Sequence, residues 1–142
     1  MDYIVKELKP MIDQKYRTLP DRHNTGIMGA SFGGLFSLYT AMHHPDVFAK
    51  AGVLSPSLFV SEKEVYELPQ KCTNKDMMIY MNVGRNEDGK MIEVMEKMSQ
   101  SLKAAGWNDS NLRTKIYENG GHEPKVWADG FSNAYHWFFN ES

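Results

Sequence analysis

Apolar residues at Ile4, Leu8, Ile12 and Tyr16 recur every four positions, the mark of an amphipathic helix. Pro10 falls inside that run and removes one backbone donor, which predicts a kink or a split. "LPDRHNT" (19–25) is turn chemistry. "GIMGA" (26–30) is a short apolar run of the kind a buried strand shows. "FGGLFSLYTAMHH" (32–44) is apolar almost all round, which predicts a helix buried on most sides and ended by Pro45. "AKAGVLSPS" (49–57) reads as a second buried strand, stopped by Pro56. "SEKEVYEL" (61–68) predicts a short helix with Ser61 as its cap and Glu64 three residues on. "DMMIYMNVG" (76–84) is a third strand. After the loop "NEDGK" (86–90), Met91, Met95, Met98 and Leu102 share one face of a helix that Gly106 ends. "LRTKIYENGG" (112–121) is a fourth strand. "EPKVWADGFSNAYHWFF" (123–139) is a last helix with Pro124 in its first turn.

Strands thus alternate with helices from end to end. The pattern predicts an α/β fold, a three-layer α/β/α arrangement around a mostly parallel sheet. No repeat, low-complexity tract or linker divides residues 1–142, so one domain is expected. Composition narrows the function. Apolar residues make up 42% and charged residues 24%, with a net charge of −2 and no basic run. Nucleic acid therefore finds no electrostatic footprint. No apolar run nears the roughly 18 residues of a membrane helix. Cys72 is the one cysteine, so no internal disulfide and no thiolate metal site are expected. The ten methionines read as core filling. The opening stretch is amphipathic and mixed in charge, unlike a secretory signal.

Residues 29–33, Gly-Ala-Ser-Phe-Gly, fit G-x-S-x-G. By chance that pattern is expected in roughly one chain of this length in twenty. Its context adds weight, because it follows a predicted strand and opens a predicted helix. A serine on such a sharp turn sits in strained backbone with its hydroxyl raised above the sheet. Side chains two residues either side would collide, which accounts for Gly29 and Gly33, and Gly34 gives the helix further room. The backbone N–H of Phe32 then faces the place where negative charge develops, as one donor of an oxyanion hole. The competing reading makes Ser31 a plain helix cap.

A serine hydroxyl is a poor nucleophile without a base. In folds of this kind the partners follow in the order Ser, acid, His. After the third strand, "VGRNEDG" offers Glu87 and Asp88. After the fourth, "ENGGHEP" offers His122. Both lie at carboxyl ends of strands, where parallel sheets put their chemistry. The remaining histidines, His23, His43, His44 and His136, fall on helices or loops and read as structural or surface groups.

With these stretches in hand, the chain resembles the enterochelin-esterase-like, esterase-D-type branch of the α/β-hydrolases. The likeness is carried by "ELKPMIDQKYRT" (7–18), "IMGASFGGLFSLYTAMHHPDVFAKAGVLSPS" (27–57), "IYMNVGRNED" (79–88) and "GGHEPKVW" (120–127). It implies the C-terminal half of an α/β-hydrolase fold. It also implies Ser31 as nucleophile, His122 as general base and Glu87 as the orienting acid, with Asp88 in reserve, and no metal or organic cofactor. The implied substrate is a small-molecule ester, with sugar and siderophore esters as candidate classes. Trp127, Trp107 and Phe59 are candidates to line its pocket.

Members of that branch begin with further strands, so the chain reads as N-terminally shortened. Two expectations follow. The strand at 26–30 has a bare edge, which a homo-oligomer would cover. The second oxyanion N–H belongs to an upstream loop; losing one such donor costs about 10²–10³ in turnover, so activity is expected to be weak. A leader upstream would move the protein from a cytoplasmic to a periplasmic or secreted location. The rival functions are acyl transfer on the same fold and an inactive hydrolase fold serving as a binding or structural piece. A phosphate-binding turn fails on spacing, with no G-x-G-x-x-G and no lysine after the glycines.

Overall fold

The computed structural model describes residues 1–139. A π-helical turn over Tyr3–Leu8 passes into helix α1 (Lys9–Lys15), so the expected split falls where Pro10 enters as the second residue of α1. The four-residue spacing overreached at its end. Tyr16 is already extended and 65% exposed, because the helix stops before it. Four strands follow, β1 (Gly26–Ala30), β2 (Lys50–Leu54), β3 (Met78–Gly84) and β4 (Leu112–Tyr117). Between and after them lie α2 (Phe32–His43), α3 (Glu62–Lys71), α4 (Lys90–Ala105) and α5 (Pro124–Phe139).

All strand pairs are parallel and the order is β1-β2-β3-β4. Crossovers between parallel strands are right-handed, so three successive ones moving the same way put their helices on one face. Side-chain packing agrees. Ala51, Val53, Ile79, Met81 and Val83 join residues of α2, α3 and α4 in the larger core, while Leu54 and Tyr80 pack with Ala134, Trp137 and Phe138 of α5. Successive strand residues point to opposite faces, which produces this division. The expected α/β/α layering is thus present, with α2, α3 and α4 on one face and α5 on the other. On α4 the predicted methionine face is buried, and Gly106 closes the helix at φ 116°.

Two local expectations are corrected. Ser61 does not cap α3 through its side chain; its hydroxyl donates to Glu64 Oε2 at 3.3 Å. β1 is half-buried rather than buried, because it is an edge strand. α2 is buried on most sides as expected, and the side left open carries Phe32, 64% exposed, and Phe36, 39% exposed.

The amino ends of the strands are tied by a separate polar cluster. Asp21 accepts from the backbone N–H groups of His23 and Asn24 and begins a short 3-10 turn. The Arg22 guanidinium donates to Pro45 O at 2.6 Å, Asp76 O at 2.6 Å and Asp76 Oδ2 at 3.0 Å. Lys50 donates to His23 O, and burial lowers its ammonium pKa. Trp107 donates its indole N–H to Met77 O at 2.9 Å.

Candidate active site

The opposite rim of the sheet is built from three connections that leave β1, β3 and β4 at their carboxyl ends. The first is the turn into α2. Ser31 stands at φ 58°, ψ −121°, a region that side-chain-bearing residues rarely occupy. Its N–H donates to Leu54 O at 2.9 Å, and its own carbonyl accepts from Gly34, Leu35 and Ser57. The glycines divide differently from the expectation. A Cβ on Gly29 would stand 2.6 Å from the backbone of Gly33, and one on Gly34 would stand 2.9 Å from Leu54 O. A Cβ on Gly33 itself would meet nothing within 4 Å. The close approaches are therefore at Gly29 and Gly34. Phe32 is the first residue of α2, so its N–H has no acceptor within the helix.

The second connection follows β3. Glu87 is buried and its neighbour Asp88 is exposed. Glu87 Oε1 accepts from Ser55 Oγ at 2.6 Å and from the Gly84 N–H at 2.6 Å. Its other oxygen, Oε2, lies 2.8 Å from His122 Nδ1. Oε1 thus accepts twice while Oε2 faces Nδ1; with the imidazole proton on Nδ1, Nε2 is the nitrogen able to accept from Ser31 Oγ.

The third connection follows β4 and carries His122. Asn86 N–H donates to Gly120 O and Gly120 N–H to Tyr117 O, which lays this loop against the end of β3. The fit is tight: a Cβ on Gly84 would stand 2.4 Å from Gly120 O. Trp127 of α5 meets the imidazole edge-on, ring centroids 5.1 Å apart. His122 Nε2 lies 3.0 Å from Ser31 Oγ. The structure thus brings Ser31, His122 and Glu87 into one hydrogen-bonded line, and Asp88 stays outside it.

A cleft of about 600 Å³ opens at this line. Phe32, Phe59, Met91 and Val94 form its apolar walls; Ser57, Glu62, Asp88 and Lys90 supply polar groups. Of the three proposed pocket aromatics only Phe59 lines it. Trp107 is core at the other end of the sheet, and Trp127 braces the imidazole. Two serines escaped the sequence reading. Ser55, fully buried at φ 40°, turns its hydroxyl back onto Glu87, and Ser57 Oγ lies 3.4 Å from Ser31 Oγ. Their signal was present in "SPS" at the carboxyl end of β2, two hydroxyls around a proline where that strand must stop. Among the described residues no group of three or more His, Cys, Asp or Glu side chains is placed to hold a metal ion.

A model of the family described as "Putative esterase" matches residues 1–138. The chain is 24% identical to the uncharacterized protein YbbA of Bacillus subtilis (strain 168), over 98% of this chain and 58% of that one. It is 27% identical to an endo-1,4-beta-xylanase/feruloyl esterase of Xylanibacter ruminicola, over 87% of this chain and 15% of the other. The enterobactin esterase FES of Shigella flexneri, solved in the presence of enterobactin, superposes with a TM-score of 0.83 at 19% identity. That match covers 95% of this chain and 35% of the other. The chain therefore spans little more than half of the first of these relatives and a smaller part of the other two.

Proposed function

The chain belongs to the putative esterase family, and from that premise we propose that it is a serine hydrolase of carboxylic esters, working through an acyl-enzyme. His122 Nε2 takes the proton of Ser31 as Oγ attacks the ester carbonyl. The N–H of Phe32 stabilises the oxyanion. His122 returns the proton to the departing alcohol, and water then repeats the cycle on the acyl group. Glu87 holds the imidazole in the tautomer this needs and offsets the charge of the imidazolium. Ser57 Oγ is a further donor beside the reacting oxygen. The observation that supports the reading most is the unbroken relay of 3.0 Å from Ser31 Oγ to Nε2 and 2.8 Å from Nδ1 to Glu87. The relatives named for feruloyl and enterobactin esters support an ester as the substrate class.

Ser31→Ala abolishes labelling by a fluorophosphonate probe; labelling that persists in the variant removes Ser31 as nucleophile. We further propose that a second copy of the chain covers the half-exposed edge of β1. Sedimentation equilibrium giving a monomer at micromolar concentration overturns that assembly.

A further inference from the structure

α2 has an apolar sequence all round, yet one stripe of it faces outward. Phe32, Phe36 and Tyr39 stand at i, i+4 and i+7 on a shared face. With Leu35 and Val65 they line a groove of about 640 Å³, rimmed by Ser61 and Glu64. Its floor is open at Gly33, where an added methyl would touch nothing within 4 Å. His43 stacks on Tyr39 at 4.1 Å and continues the row. Soluble proteins seldom leave a contiguous aromatic surface uncovered without a use for it.

This groove does not stand apart from the site. Phe32 lines both the groove and the cleft at Ser31. The two differ in chemistry. The cleft carries Glu62, Asp88 and Lys90, which suit a polar alcohol portion that leaves into water. Among the described residues the groove has Glu64 as its one carboxylic acid and no cation, which suits a neutral alkyl chain and disfavours an anion. From Phe32 to Tyr39 the helix rises about 10 Å, the span of a medium-length alkyl chain. Resting on the serine-esterase reading, we propose that the groove holds the alkyl chain of a medium-chain acyl ester. The carbonyl stands over Ser31 and the chain lies across Phe36 towards Tyr39.

The test compares p-nitrophenyl acetate with p-nitrophenyl octanoate. kcat/KM is expected to favour octanoate by at least about tenfold. Phe36→Glu brings that ratio close to one, whereas Phe36→Leu keeps it. Equal or better turnover of acetate by the unaltered chain, with Ser31 still labelled by fluorophosphonate, overturns the groove and leaves the esterase reading standing. A dimer that Phe36→Glu dissolves, with no chain-length preference, also overturns it, since a second copy then covers the row. If Ser31 takes no label and neither ester is cleaved, the esterase reading falls and binding decides the groove. Saturable fluorescence of the neutral probe N-phenyl-1-naphthylamine, displaced by methyl octanoate and weakened at least tenfold in Phe36→Glu, supports it. Absence of saturable binding sinks it.

Discussion

The two ends of the sheet are both polar, and they use polarity in opposite ways. At the amino ends, Arg22 and Trp107 donate to backbone carbonyls of other segments, and Asp21 caps the short turn beside them, all in ordinary backbone conformations. At the carboxyl ends, Ser31 and Ser55 both hold positive φ, and their hydroxyls reach other side chains. One end spends its hydrogen bonds on holding strands together. The other accepts backbone strain to aim three side chains at a single point. A polar cluster thus declares its role by what it pairs with and by the backbone that presents it.

That contrast can be broken by substitution. The largest effect is expected at His122. His122→Ala lowers kcat on p-nitrophenyl acetate by about 10³ or more while the melting temperature holds. A loss of folding instead of turnover would make the rim a structural cluster like its counterpart. Next comes Ser55→Ala, expected to lower kcat about ten- to a hundredfold, since a hydrogen bond to a charged group is lost. An unchanged kcat with a lowered melting temperature would assign Ser55 to packing alone. The smallest change in turnover is expected at Arg22. Arg22→Ala costs about 1–3 kcal/mol of stability, several degrees in Tm, with turnover per folded molecule unaltered. Lost turnover in the folded variant would show that the two ends are coupled.

The same contrast explains what the sequence revealed. Gly29 and Ser31 stand in a pattern dictated by local sterics, so a five-residue window suffices to find them. Glu87 and His122 follow the third and fourth strands, so the alternation puts them at carboxyl ends of strands, while the choice of Glu87 over Asp88 comes from the family resemblance. Ser55 and Ser57 act through partners 32 and 26 residues away, so "SPS" marks two hydroxyls at the end of β2 but does not say what they pair with. Which side of α2 stays open is not legible for a related reason. Helical periodicity reports which residues are apolar, whereas neighbours from distant segments decide which of them are covered. The tight positions at Gly84 and Gly120 are likewise products of two loops meeting.

Strand order that follows chain order has a consequence for biosynthesis. Each new strand adds beside the one made just before it, so the sheet can grow in a single direction as the polypeptide emerges. Along this stretch the serine precedes the carboxylate, and the imidazole follows with the loop after β4. A nascent chain halted before Gly120 carries Ser31 and Glu87 without His122, so their hydrogen-bonded line closes only once the loop after β4 has emerged.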